Sequence, residues 1–239
     1  MIELHNITIA NNPKHPLVQG QSLSIPRATL TALIGRNGCG KSTLLRAMAG
    51  IQRPLQGTVT INGVDVSRAS ARKLARLVAV ITTESIKVDN LTCRQLVSYG
   101  RAPHTGMLGR LSASDEQIVD EALQTVGMEQ FAQRKVGQIS DGEGRRILLA
   151  RALAQQTPVI LLDEPTSFLD VPGRYEISAL LGRLAREQGK TIVYSTHELD
   201  PAYLNADNLL YMSKQGLKFA APDSAEMQAV RREFEGARN

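Results

Sequence analysis

Apolar and polar residues alternate over residues 3–10, and short apolar runs follow at 23–26 and 29–34, a spacing that predicts strands. Residues 58–61 continue the pattern and close on Asn62-Gly63, a dipeptide suited to a tight hairpin turn. Between these strands the period lengthens. Residues 41–49 carry their apolar positions at helical spacing and stop at Gly50, which predicts a helix with a glycine cap. From Cys93 to about Gln156 the pattern is mostly helical, broken over 100–109 by a loop that holds Pro103 and three glycines. Ser114-Asp115-Glu116-Gln117 reads as a capping box that opens an amphipathic helix running to about Val126. The apolar runs 77–81 and 159–162 have the length of buried strands; a helix over about 173–188 and a strand over 191–194 follow. Strand, helix, strand at that spacing implies a parallel sheet with right-handed crossovers. The pattern as a whole predicts an α/β core interrupted by a helical insert, with a charged surface helix and frayed tail over 225–239.

Composition narrows the class only a little. A chain of 239 residues suits one large domain, or one domain with a smaller lobe, and no internal repeat or low-complexity tract divides it. No apolar stretch approaches the roughly 18 residues that a membrane-spanning helix needs. The opening residues lack a basic segment followed by an apolar one, so no export signal is expected. Two cysteines, Cys39 and Cys93, lie in different segments and suggest no disulfide framework, which fits a reducing cytoplasm. A net charge of +5 suits nucleotide, membrane surface or nucleic acid alike and selects none of them.

The motifs select. Gly35-Arg36-Asn37-Gly38-Cys39-Gly40-Lys41-Ser42 follows the apolar run 31–34 and opens the predicted helix. Its glycines let backbone N–H groups curl around phosphate oxygens, the helix start adds positive dipole, Lys41 reaches the β- and γ-phosphates, and the Ser42 hydroxyl can ligate Mg²⁺. Val159-Ile160-Leu161-Leu162-Asp163-Glu164-Pro165 puts two acids at the carboxyl end of a strand, where open α/β sheets bind ligands. Asp163 is placed to hold Mg²⁺, and Glu164 to polarise an attacking water. Ile139-Ser140-Asp141-Gly142-Glu143 begins a further helix and reads locally as another capping box, Ser140 with Glu143.

Taken in order, residues 35–43, 139–143, 159–165, Ser167-Phe168-Leu169-Asp170 and Tyr194-Ser195-Thr196-His197 resemble the motif set of ABC ATPases over roughly residues 1–220. The resemblance implies a P-loop (RecA-like) core with an amino-terminal antiparallel β-subdomain and an inserted α-helical subdomain. The expected division is core over about 1–84 and 157–224, helices over about 85–156 and a tail over 225–239. It further implies ATP and Mg²⁺ as bound groups, with Gly35, Arg36, Asn37, Gly38, Cys39, Gly40, Lys41, Ser42 and Thr43 on the nucleotide. Two copies would associate head to tail, so that Ser140 and the N–H groups near Gly142 reach the partner's γ-phosphate and Asp170 joins the two sites. Glu164, His197 and Lys41 are the implied catalytic set, with His197 on the γ-phosphate of its own copy. Further partners implied are membrane permease subunits and a substrate-binding protein, at the cytoplasmic face of the inner membrane; no nucleic acid is expected.

Some positions depart from the family pattern. Thr83 falls where a glutamine usually meets Mg²⁺ and the membrane partner, with Glu84 one residue later; either could take its place. The aromatic residue that usually stacks on adenine should fall near Ala10 or Asn11, and neither can stack; His15 is nearby. Residues 96–106, Leu-Val-Ser-Tyr-Gly-Arg-Ala-Pro-His-Thr-Gly, resemble a segment of the ATPases of iron-siderophore, haem and cobalamin importers. The alternative from a different class is a soluble ABC ATPase uncoupled from transport, in iron-sulfur assembly or another regulatory role.

Overall fold

The computed structural model describes residues 1–83, 90–106, 109–167, 169–213 and 215–236. Alternation sets the first element. In β1 (Ile2–Asn12) the side chains of Ile2, Leu4, Ile7 and Ile9 are buried, and β2 (His15–Ile25) pairs antiparallel along its length. β2 starts well before the expected run at 23–26, because its first half is mostly polar or half-exposed and shows no alternation in sequence. β3 (Leu30–Ile34) leaves this sheet, is buried at every position, and leads to α1 (Lys41–Met48). β4 (Gln56–Ile61) returns to the free side of β1, and β5 (Val64–Asp65) completes a four-stranded antiparallel sheet of order β2–β1–β4–β5. The turn between β4 and β5 is the expected Asn62-Gly63, with φ of 49° and 78°, the left-handed pair a tight hairpin needs.

A second sheet builds the core. α2 (Ala71–Leu74) precedes β6 (Val78–Ile81), and α3 (Cys93–Ser98), α4 (Ala113–Thr125) and α5 (Asp141–Ala154) follow and pack on one another. Then come β7 (Val159–Leu162), α6 (Val171–Glu187), β8 (Thr191–Thr196), α7 (Leu199–Asn205), β9 (Asn208–Ser213), β10 (Gly216–Ala220) and α8 (Ala225–Gly236). The sheet runs β10–β9–β3–β8–β7–β6, parallel throughout except for β10 against β9. β3, β7 and β8 are buried at every position because packed elements cover both faces. This is the α/β P-loop NTPase class expected from the sequence, with an antiparallel sheet and a helical cluster added to the core.

Two boundaries differ from expectation. The box opening α4 is Ser112 with Asp115, not Ser114 with Gln117: Ser112 Oγ accepts from the Asp115 N–H, and the Asp115 carboxylate accepts from the Ser112 N–H. Asp115 is also held by Arg101 at 2.8 Å, which fixes it at that place in the first turn. α6 starts at Val171, not 173, because Asp170 caps it and Pro172 sits in its first turn, where its missing N–H costs nothing. α8 lies on the surface and docks along one side: Met227 and Val230 are buried, and the Tyr203 hydroxyl of α7 donates to the Met227 carbonyl. α7, β9 and β10 were not anticipated.

Candidate active site

The loop between β3 and α1 is shaped by its glycines. A Cβ on Gly35 would lie 2.7 Å from the Met212 carbonyl oxygen and 2.8 Å from Cys39 Sγ, so only glycine fits there. Gly40 caps α1 at φ 109°, a backbone conformation that side chains avoid. The first turn of α1 has neither a side-chain cap nor an acidic residue, which leaves its N–H groups open to an anion. Lys41 is buried, and its Nζ donates to the carbonyls of Gly35 (3.0 Å) and Arg36 (3.3 Å), so the ammonium spans the loop on neutral partners. Cys39 is half-buried, and burial raises its thiol pKa against the lowering pull of Lys41.

The acids at the end of β7 are joined through β8. Ser195 Oγ donates to Asp163 Oδ1 at 2.6 Å and accepts from the Glu164 N–H at 2.9 Å. One buried hydroxyl therefore fixes both carboxylate-bearing residues. Glu164 has φ 48°, a left-handed backbone that costs a non-glycine residue about 1–3 kcal/mol and turns its side chain away from the line of the strand. Its Oε2 accepts from Ser167 Oγ at 2.9 Å, and its Oε1 lies 3.7 Å from His197 Nδ1. His197 Nε2 lies 3.4 Å from Glu198 Oε1. A cavity of about 260 Å³ is bounded by Gly35, Arg36, Asn37 and His197, with Tyr211, Glu233 and Phe234 closing the far side. The loop start and His197 thus share one space, while Glu164 lies beside His197.

The remaining expected positions are arranged as follows. Ser140 caps α5 and is exposed; its hydroxyl donates to Glu143 Oε2 at 2.8 Å, and Glu143 is held below the usual carboxylate range by the Ser140 N–H and hydroxyl. Gly142 lies in the first turn of α5, where a Cβ would sit 3.2 Å from Leu169 Cδ2. Asp170 is exposed and accepts the Gly173 N–H at 3.0 Å as the cap of α6. Thr83 follows β6 and is exposed, whereas Glu84 lies outside the described residues. Of the two positions near which an adenine-stacking residue was expected, Ala10 is buried and Asn11 is turned onto α1, its Oδ1 accepting from Thr43 Oγ1 at 2.7 Å; His15 is exposed. Among the described residues no group of three His, Cys, Asp or Glu side chains could hold a metal alone. Asp163 and the Ser42 hydroxyl are a sparse oxygen donor set of the kind that suits Mg²⁺, which fills its shell with water and phosphate oxygens. Ser195 was missed as a site residue; its only signal in sequence was its place inside the segment Tyr194-Ser195-Thr196-His197, one of three serine or threonine residues in β8.

The sequence profile of the family described as ABC transporter matches residues 18–167. The chain belongs to the ABC transporter family. It is 42% identical over 186 residues to the iron(3+)-hydroxamate import ATP-binding protein FhuC of Bacillus subtilis (strain 168), covering 78% of this chain and 69% of that protein. It is 40% identical over 194 residues to the achromobactin transport ATP-binding protein CbrD of Dickeya dadantii (strain 3937), covering 81% and 72%. Among solved structures it is similar to a dimeric ATP-binding cassette in a post-hydrolysis state bound to ADP and Pi. The TM-score there is 0.80 at 25% identity, over 94% of this chain and 100% of that one. As a member of the ABC transporter family the chain is an ATPase. No helix among its described residues is long and apolar enough to cross a membrane.

Proposed function

We propose that two copies of this chain form the ATP-hydrolysing pair of an importer for an iron-siderophore, haem or cobalamin-type substrate. The pair sits on integral membrane permease subunits at the cytoplasmic face of the inner membrane, with a substrate-binding protein completing the system. The names of the relatives favour transport over the uncoupled soluble ATPase, and residues 96–106 carry the importer resemblance.

In this reading Lys41 and the amides of residues 35–43 hold the β- and γ-phosphates. Ser42 and Asp163 would hold Mg²⁺, which when bound screens the negative charge of the phosphates. Glu164 takes a proton from a water that attacks the γ-phosphorus in line; the bond to the bridging oxygen breaks, and ADP and phosphate leave. His197 contacts the γ-phosphate from the same copy. Ser140 and the N–H groups near Gly142 approach it from the partner copy, and Asp170 ties the two sites together. Thr83, or Glu84 beside it, faces the permease and the metal.

The observation that carries this reading is the Ser195 hydroxyl bridging Asp163 and the Glu164 backbone. It gives two neighbouring carboxylates different environments, one suited to a cation and one left to work as a base. The test is Glu164→Gln. ATP binding should persist, with turnover reduced on the order of 100-fold or more, the scale of general-base loss. Turnover at the unaltered rate would remove Glu164 as the base.

A further inference from the structure

Arg145 is a buried cation that the roles above do not use. It lies near the start of α5, just after Ser140, and is 8% exposed. Beside it Ile81, Leu149, Leu162, Pro165 and Ile177 line a narrow apolar cavity. Its guanidinium donates two hydrogen bonds, from Nη1 to the Thr82 carbonyl at 3.3 Å and from Nη2 to the Thr83 carbonyl at 3.0 Å. No carboxylate among the described residues stands within ion-pair distance; burial lowers its pKa, while Asp141 and Glu164 oppose that only through their fields.

A buried guanidinium with no ion partner is a poor stabilising device. Thr82 and Thr83 are themselves exposed, so water could satisfy their carbonyls without Arg145. What the fork does accomplish is geometric. Thr82 and Thr83 continue β6, whose Ile81 carbonyl accepts the Asp163 N–H at 2.8 Å, so they run beside the chain that carries Glu164. The helix bearing Arg145 opens at Ser140. Two carbonyls and a planar two-pronged donor fix an orientation that a single-point contact cannot.

We propose that Arg145 is a positioning residue for hydrolysis: it locks the chain entering at Thr83 to the helix that opens at Ser140, and sets both against Glu164. This rests on the reading of Glu164 as the base. The two hydrogen bonds of the Arg145 guanidinium go to the backbone carbonyls of Thr82 and Thr83, outside the residues assigned to nucleotide, so its contribution belongs to the chemical step and not to ATP binding.

The experiment compares the full-length chain with Arg145→Met and Arg145→Lys, measuring kcat and KM for ATP, nucleotide affinity and Tm. Arg145→Met keeps the apolar stem and removes both charge and fork. It should lower kcat by about tenfold or more while KM and ATP affinity stay within about threefold, the signature of a contact that matters only beyond the ground state. Its Tm should not fall, because a buried unpaired cation has been removed. Arg145→Lys restores the charge and one of the two contacts and should recover part of kcat. A wild-type kcat in Arg145→Met, a loss matched by an equal rise in KM, or a kcat loss that tracks a fall in Tm in both variants would each overturn the assignment. The unaltered chain separates this from the function itself: a wild type that does not hydrolyse ATP overturns the reading above. A hydrolysing wild type with an indifferent Arg145→Met overturns only the role of Arg145.

Discussion

The thiol of Cys39 stands in the loop that the proposed function gives to phosphate, and Gly35 beside it has no room for even a methyl group. Any adduct on Sγ must therefore fill phosphate space or distort the loop. Alkylation with iodoacetamide should abolish nucleotide binding, and ATP should protect. Because burial raises the Cys39 pKa and only the thiolate reacts, the labelling rate should still be climbing at pH values where an ordinary thiol has levelled off. Cys93 is fully buried with a raised pKa of its own, so early label belongs to Cys39; full ATP affinity after confirmed labelling there would refute the argument. At this scale the sequence was informative wherever chemistry dictates a residue type at a fixed spacing. Gly35 to Ser42, Asp163 and Glu164 are of that kind. Ser195 is not, since a serine in a strand has no distinguishing mark until the neighbouring strand brings Asp163 within 2.6 Å. The left-handed backbone of Glu164 was equally invisible, since no local preference of glutamate favours it; its N–H donates to the same Ser195 hydroxyl.

Among the elements, the Arg101–Asp115 pair ties two helices of the helical cluster together. Arg101 is buried; it bonds Asp115 at 2.8 Å, the Ala154 carbonyl at 2.7 Å and Gln156 Oε1 at 2.9 Å, joining the start of α4 to the end of α5. Arg101→Ala leaves a nearly buried carboxylate without its partner and should destabilise the fold by roughly 3–5 kcal/mol in urea denaturation. The Ser112 hydroxyl and N–H, with Arg101 adding to them, hold Asp115 down at a pKa of about 2, below its ordinary 3.8. The shift is downward, so the stabilisation is complete above the unfolded value and is lost as pH falls from about 4 towards 2. Asp115→Asn should accordingly flatten the acid limb of stability against pH. This pair also explains why the cap was misplaced in sequence. Ser112 and Ser114 both offer a plausible cap, and only the distant Arg101 decides that Asp115 takes the third helical position. Periodicity found α1, α4, β3 and β7 because each has one clear face or none exposed. It passed over the first half of β2, where exposed and half-buried residues follow one another without a period.

For the molecule as a whole, Ser140 and Asp170 are exposed residues that the proposed mechanism sends to a partner copy. Turnover per chain should then rise with protein concentration and level off once the pair is saturated; a specific rate independent of dilution would mean that one copy suffices. The fold also carries a consequence for biosynthesis. β3, which presents the phosphate loop, has β8 and β9 as its two neighbours, with Leu30 beside Ile192 and Thr31 beside Asn208. Most of the chain must therefore leave the ribosome before that strand gains either edge. Until then a short segment, apolar at every position but Thr31, is held open between two partners still to be made, the condition under which nascent chains need shielding. Nucleotide cannot help early, since the acids, the bridging serine and the histidine all arrive in the same late stretch. For this chain the binding site and the closed sheet come into being together.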